Sequence, residues 1–173
     1  MTWLADADPA GGTDWDRLAG LRPQAFEALA GLLVAAWAAS DPVLLELARL
    51  RTATLLRHRG ELQRRTPRAQ AAGLTEAKVA ELAAWPTSPR FSPCERACLA
   101  LTEQFVIDAN GVTDEQVADV TAHLGPSGCY AFIQALSVVE TFQRACLTLG
   151  IQSVPDVDDL TRPSPDESQE VSR

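Results

Sequence analysis

The chain has 173 residues and a formal net charge of −8, with 46% hydrophobic and 22% charged residues. These values are typical of one soluble globular domain, and the acidic balance excludes general nucleic-acid binding, which needs a basic surface. The longest apolar run, residues 32–39, is too short to cross a bilayer, and the N-terminus lacks the basic and apolar regions of a secretory signal. We therefore expect a cytoplasmic protein that binds neither membrane nor nucleic acid.

Apolar residues at helical spacing and clear start signals predict five helices in the first half of the chain. These helices cover residues 13–21, 24–39, 42–58, 67–72 and 75–85. Thr13 caps the first helix, and Ser40 or Asp41 caps the third. Gly60 and the pair Thr66-Pro67 are the predicted breaks after the third helix, because glycine and proline interrupt a helix interior.

Two capping boxes, Ser92 to Glu95 and Thr113 to Gln116, predict helices over residues 92–110 and 113–124. A Gly-Pro-Ser-Gly turn at residues 125–128 then leads into a helix over residues 129–149. That last helix is apolar nearly all round, which is typical of a buried helix or a subunit interface. No segment alternates with the period of a strand, so we predict an all-α domain of about six to eight helices.

The two ends of the chain differ in composition from the helical domain, which we place at residues 13–151. Residues 1–12 are rich in Asp, Pro, Gly and Ala, and we expect a loose segment there. Residues 152–173 contain six acidic and two basic side chains among many Pro and Ser residues, so this tail carries half of the net charge. We predict that the tail is disordered.

A polar cluster follows the apolar part of the third helix. Between residues 51 and 68 lie His58, Glu61 and six arginines: Arg51, Arg57, Arg59, Arg64, Arg65 and Arg68. On one continuous helix His58, Glu61 and Arg65 share a face, because they are spaced i, i+3, i+7. Glu46 lies about 18 Å further back along a straight helix, so it joins them only if the chain bends, and Gly60 makes a bend plausible.

Three pieces of sequence resemble the AhpD-like, or carboxymuconolactone decarboxylase, superfamily. They are ELARLRTATLL with AQAAGL and TEAKVAELAAW (residues 46–56 and 69–85), FSPCERACLALTEQF (residues 91–105) and FIQALSVVETFQRACLTLGI (residues 132–151). Arg144 stands in the third piece where the family usually has arginine. The resemblance implies an AhpD-like helical fold that assembles as a homo-oligomer, a trimer or a hexamer.

The redox branch of this superfamily uses a CxxC motif, a histidine four residues after it and an upstream glutamate in a proton relay. In an ungapped alignment His58 and Glu61 stand at the two cysteine positions, Arg65 stands at the histidine, and Glu46 keeps the glutamate. A disulfide relay needs a reactive thiolate and a resolving thiol, which these residues cannot supply. Thiol peroxidase or alkylhydroperoxidase-related antioxidant activity is therefore only a minor alternative.

The decarboxylase branch lacks CxxC and has a Glu-Leu-x-x-His pattern, which Glu61 and Leu62 match and in which Arg65 replaces the histidine. If the cluster forms a pocket, it suits acid/base chemistry on a small anion: decarboxylation, or proton transfer on a lactone or keto-enol system. Arg65 and Arg144 would bind the substrate carboxylate, His58 would move a proton, and Glu61 or Glu46 would orient it or act as base. We expect no cofactor.

Two other interpretations of the cluster stay open. The chain could be a non-catalytic binding or assembly protein that has lost the redox site, with Arg57, Glu61, Arg64 and Arg68 forming one solvated helical stripe. A metal site built from His58, Glu61 and Glu46 is weaker, because nearby arginines repel a cation, and we expect no bound metal. Whether the protein is an enzyme is therefore open at this stage.

The four cysteines, Cys94, Cys98, Cys129 and Cys146, form no CxxC motif. We interpret them as small buried hydrophobic residues in a reducing compartment. Cys94 and Cys98 are four residues apart on a predicted helix, so they share a face, and a redox pair is the alternative.

Overall fold

The computed structural model of the chain describes residues 13–160, and this part of the chain is helical with no strand, which confirms the all-α class. The predicted loose segment 1–12 lies outside the described residues, as does the end of the predicted tail. The helices are α1 Asp14–Leu21, α2 Pro23–Ala38, α3 Pro42–Leu56, α4 Arg59–Gln63, α5 Pro67–Ala71, α6 Glu76–Ala80, α7 Pro93–Ile107, α8 Asp114–Leu149 and α9 Val157–Leu160. Two short 3₁₀ helices, Leu82–Ala84 and Ala109–Gly111, follow α6 and α7. Among the described residues no helix is both long and apolar enough to cross a membrane.

The helix-start signals in the sequence are confirmed by their hydrogen bonds. Thr13, Ser92 and Thr113 each accept a backbone N–H in the first turn of the helix they cap, within a complete capping box. Asp41, not Ser40, caps α3, because its carboxylate accepts from two backbone N–H groups at 2.9 Å each. These caps satisfy donors that a helix N-terminus otherwise leaves open.

The predicted turn at residues 125–128 is much shorter than expected. Only Gly125, with φ 70° and ψ 169°, leaves the helical conformation, and the helix resumes at Pro126. Glycine tolerates this positive φ, and the fixed φ of proline suits the first position of a helical segment. α8 is therefore one kinked helix instead of two helices separated by a loop.

Helix α3 lies at the centre of the molecule, because its side chains enter all three clusters of buried apolar residues. Leu45 packs with α2 and α8, Ala48 packs with α7 and α8, and Leu50 packs against α5 and the segment that follows it. The faces of α3 that enter these clusters are shielded from water. Any charged side chain on those faces must therefore find its partners inside the protein.

The chain bends at a different residue from the one that the sequence indicates. Helix α3 ends at Leu56, and the next residue, Arg57, adopts the left-handed conformation with φ 58°. His58 then caps α4. Gly60 lies inside α4, so the prediction of a break there is wrong. A Cβ atom at Gly60 would lie 1.7 Å from the carbonyl oxygen of Gln152, so this position allows a close backbone approach. The break at Thr66-Pro67 is confirmed, because α5 begins at Pro67.

Residues 152–160, which we name the C-terminal strap, pack against the helical domain. They fall within the tail that the sequence predicts to be disordered, so the structure differs from that expectation for this part of the tail. Val154 and Val157 are buried with Leu33 and Trp37 of α2. Burial of these valines compensates part of the entropy lost in ordering the strap.

Candidate functional site

The centre of the site is an ion pair between two residues one turn apart on α3. Glu46 is fully buried and Arg49 is 5% exposed. The Arg49 guanidinium donates from Nε to Glu46 Oε2 at 2.8 Å and from Nη2 to Oε1 at 2.7 Å. This two-point contact fixes the plane of the guanidinium relative to the carboxylate.

Arg49 also binds the segment that follows α3. Its Nη1 donates to Glu61 Oε2 at 2.5 Å and to the Glu61 carbonyl at 3.1 Å, and Nη2 donates to the Arg64 carbonyl at 3.0 Å. Burial by itself lowers the pKa of Arg49, but the hydrogen bonds and charges of Glu46 and Glu61 outweigh it and raise that pKa. Arg49 therefore stays positively charged between two carboxylates.

Both carboxylates accept further hydrogen bonds. Glu46 accepts from the Thr66 backbone N–H at 3.2 Å and from the Thr66 hydroxyl at 3.1 Å. Glu61 Oε1 accepts from the Val154 backbone N–H at 2.8 Å and from Arg64 Nη1 at 3.4 Å. Every polar side-chain atom of Glu46, Arg49 and Glu61 thus has a protein partner.

His58 is 3% exposed and touches the network through the backbone of Glu61. Its Nδ1 accepts the Glu61 backbone N–H at 3.4 Å, which puts the ring proton on Nε2. Nε2 is buried and has no hydrogen-bond partner among the described residues. A buried donor without a partner is costly, so this atom marks a place for a water molecule or a ligand.

A cavity of about 20 Å³ adjoins the ion network. Arg49, Glu61, Arg64 and Thr66 form its polar end. The other lining residues are Leu33, Trp37, Val139 and residues 154–157 of the strap. The cavity accepts no group much larger than a water molecule while the strap covers it.

Two comparisons with known proteins agree with this architecture. Residues 23–104 match the model of the carboxymuconolactone decarboxylase family. A crystal structure of an Agrobacterium tumefaciens protein of unknown function, described as a candidate AhpD-type antioxidant defence protein, superposes with a TM-score of 0.70. The match has 20% sequence identity and covers 80% of this chain and 95% of the other chain. Residues 23–104 are thus similar to the carboxymuconolactone decarboxylase family, and the chain shares the AhpD-like fold of the A. tumefaciens protein. None of the curated proteins matches the chain.

Of the predicted site residues, Glu46 and Glu61 share the Arg49 guanidinium, and His58 contacts the Glu61 backbone. The closeness of these residues does not come from the single helical face that the sequence predicts, because the chain bends at Arg57 and α4 ends at Gln63. The alternative of one solvated stripe is wrong, because Glu61, a member of that stripe, is 1% exposed.

Arg65 and Arg144, the predicted substrate binders, lie outside the cavity. Arg65 Nε donates to Glu76 Oε1 at 3.0 Å at the protein surface. The Arg144 side chain is 55% exposed on α8, and its Nη2 lies 2.7 Å from Glu140 Oε1. The extended turn after Gln63 directs the neighbouring Arg64, not Arg65, towards the strap and the cavity.

The cysteines lie away from the ion network, with the exception of Cys146. All four are free, three are buried, and Cys94 is half-buried. Burial raises the pKa of Cys94 and Cys98. Burial, with the charge of Glu61 as a smaller cause, raises the pKa of Cys146 to about 12. These environments disfavour the thiolates that peroxide reduction requires.

No group of three His, Cys, Asp or Glu side chains within residues 13–160 is arranged to hold a metal ion. The guanidinium of Arg49 lies between Glu46 and Glu61, in the place a cation would take. Sequence reasoning missed Arg49 and Arg64 as members of the site. The signal for Arg49 was present, because a Glu-x-x-Arg pair on a helix that is otherwise apolar points to a buried ion pair.

Proposed function

We propose that this protein carries out non-redox acid/base chemistry on a small anionic substrate. The reaction classes are decarboxylation, lactone isomerisation and proton transfer next to a carbonyl. One observation carries the proposal: the Glu61 carboxylate and the guanidinium groups of Arg49 and Arg64 line one end of a cavity whose other walls are largely apolar. Apolar walls with a few convergent charged groups are typical of small-molecule sites.

The residues divide into groups that face the cavity and groups that support them. Arg64 binds the substrate carboxylate, and Glu61 acts as the base. Glu46 holds Arg49 in place, and Arg49 orients Glu61 through the hydrogen bond to Oε2. His58 stays a prediction as the group that moves a proton: its buried Nε2 atom has no protein partner among the described residues, but His58 does not line the cavity.

Arg65 and Arg144 stay predictions as substrate binders. Each would first have to leave its present ion pair, with Glu76 and Glu140 respectively. Arg64 already lines the cavity, although its guanidinium is paired with Glu61 and Asp156 while the strap is closed. Among the cavity-lining side chains, Glu61 can serve as a base and Arg64 as a carboxylate binder.

Exchange of substrate protons with solvent tests this proposal. The protein is incubated in D₂O with a panel of small β-keto acids and carboxylated lactones, and proton NMR follows loss of the signals next to the carbonyl. We expect wild-type protein to exchange at least one compound and Glu61→Gln to slow that exchange at least 100-fold, since general bases contribute about 10²–10⁴. Glu76→Gln is the matched control, because it removes a carboxylate from an ion pair outside the cavity. Equal rates for wild type and a folded Glu61→Gln variant would contradict the assignment of the base.

A second candidate is a non-catalytic binding or assembly protein, and the closed state of the site favours it. Every polar atom of Glu46, Arg49 and Glu61 has a protein partner, and the cavity measures about 20 Å³. Under this proposal the ion network only joins α3, α4 and the strap. The absence of exchange with the whole panel, also when the strap is loosened, would favour this candidate over the first.

A further inference from the structure

The C-terminal strap makes contacts in the cavity that a ligand would make. The Val154 backbone N–H donates to Glu61 Oε1 at 2.8 Å, and the Val154 carbonyl accepts from Arg64 Nη1. Asp156 places its carboxylate 3.4 Å from Arg64 Nη2. The strap thus occupies two of the charged side chains to which we assign substrate binding and proton transfer.

The strap also fills the apolar part of the cavity. The side chains of Val154 and Val157 are 8% and 5% exposed, and they pack in the cluster that contains Leu33, Trp37 and Val139. A small aliphatic carboxylate would make the same two contacts, with its carboxylate on an arginine and its aliphatic chain against an apolar wall. The strap presents this combination from within the chain.

The polar contacts that hold the strap are only partly buried. The side chains of Arg68 and Asp158, paired at 2.7 Å, are 36% and 39% exposed, and those of Arg64 and Asp156 are 29% and 24% exposed. Solvent screens such pairs, so each contributes little to holding the strap closed. Packing of Val154, Val157 and Leu160, the hydrogen bond from the Val154 N–H to Glu61, and the hydrogen bond from Trp15 Nε1 to the Ser153 carbonyl at 2.7 Å supply most of the closure. A segment held in this way can open without unfolding the helical domain.

We propose that residues 152–160 form a tethered pseudo-ligand that blocks a binding site for small aliphatic carboxylates. Opening of the strap exposes Arg64 and Glu61, and the carboxylate ligand replaces Asp156 on Arg64 while its aliphatic part replaces the two valines. This inference rests on the proposed function for the location of the site, and it names the substrate class and the regulation of that site. The inference concerns binding and does not depend on turnover, so either proposal can fail without the other.

Hexanoate binding to the full chain tests the inference. The strap variant Asp156→Ala/Val157→Ser is compared with wild type by calorimetry and by intrinsic tryptophan fluorescence, to which Trp37 in the cavity wall contributes. We expect the strap variant to bind hexanoate at least tenfold more tightly than wild type, because the competing segment is weakened. Arg64→Gln in the strap variant should remove this gain, and hexanol should bind no more tightly to the variant than to wild type. Asp119→Ala, an exposed change on α8 away from the cavity, should leave the affinity of wild type unchanged.

Equal hexanoate affinity in wild type and a folded strap variant, or equal gains for hexanol and hexanoate, would overturn the proposal. Hydrogen exchange on the wild-type protein gives an independent test that needs no variant. Saturating hexanoate should lower the protection of the Val154 amide at least tenfold, because the ligand displaces the strap from Glu61. Unchanged or higher protection at saturation would also overturn it. Tighter hexanoate binding without proton exchange in any substrate would retain the strap inference and remove the acid/base proposal.

Discussion

Replacing Arg49 by methionine removes the centre of the buried network while keeping much of the side-chain volume. Arg49 donates five hydrogen bonds, to two carboxylates and two backbone carbonyls. The variant leaves Glu46 and Glu61, 0% and 1% exposed, without their shared positive charge. Loss of one partner from a buried ion pair typically costs about 3–5 kcal/mol. We expect the free energy of unfolding to fall by that amount, or the melting temperature to fall by about 6–20 °C.

Urea unfolding followed by circular dichroism measures this loss, at one fixed protein concentration because assembly would couple stability to concentration. Arg144→Met is the matched control, since Arg144 forms an ion pair with Glu140 on an exposed part of α8. An exposed pair of this kind contributes about 0–1 kcal/mol. If Arg49→Met costs no more than Arg144→Met, the network does not stabilise the fold and the reasoning is refuted.

The triple variant Glu46→Gln/Arg49→Met/Glu61→Gln separates the loss of attraction from the cost of leaving charges unpaired. It contains no buried charge from these three residues, so it should be more stable than Arg49→Met alone. A triple variant that is less stable than the single variant would contradict the claim that unpaired carboxylates cause the loss.

Three further predictions concern close packing, thiol reactivity and assembly. Gly60→Ala should lower the free energy of unfolding by about 1–3 kcal/mol, because the added Cβ would collide with Gln152. Gly31→Ala, in open space on α2, should raise it by about 1 kcal/mol. Urea unfolding measures both changes, and equal effects would contradict the close approach at Gly60. Ellman's reagent at pH 8 should modify Cys94 before Cys98 and Cys146, because Cys94 is half-buried and burial strongly raises the pKa of the other two thiols. The pKa of Cys146, about 12, leaves about one part in 10⁴ as thiolate, and early labelling of Cys146 would argue against a closed strap. Light scattering coupled to size exclusion should find a trimer or hexamer, as the family resemblance implies, and a monomer at micromolar concentration would contradict that prediction.

The sequence predicts the helices well because their signals are local. Capping boxes at Ser92 and Thr113, and Pro67 after Thr66, each act within one turn of the chain and mark helix starts that the structure confirms. Gly60 shows the limit of local reasoning. Its lack of a Cβ serves an approach by Gln152, which is 92 positions further along the chain, and no local pattern reveals that contact.

The candidate site was predictable only in part for the same physical reason. Glu46, His58 and Glu61 follow from the family pattern, but the partner that joins the two carboxylates, Arg49, lies between them in sequence and had been assigned no role. The order of the strap was not predicted because its acidic composition is typical of disorder. Its partners come together only in the folded domain: Val154 packs against α2 and binds Glu61 of α4, and Asp156 pairs with Arg64 just after α4.

Proton exchange in the strap variant tests the central claim most directly, because that variant exposes the cavity. The Asp156→Ala/Val157→Ser protein is compared with the same protein that also contains Glu61→Gln, in D₂O with the β-keto acid and lactone panel. We expect the strap variant to exchange substrate protons faster than wild type and the added Glu61→Gln change to abolish that exchange. Exchange that persists without the Glu61 carboxylate, or that is absent from the strap variant for every compound, would contradict a non-redox acid/base site in this cavity.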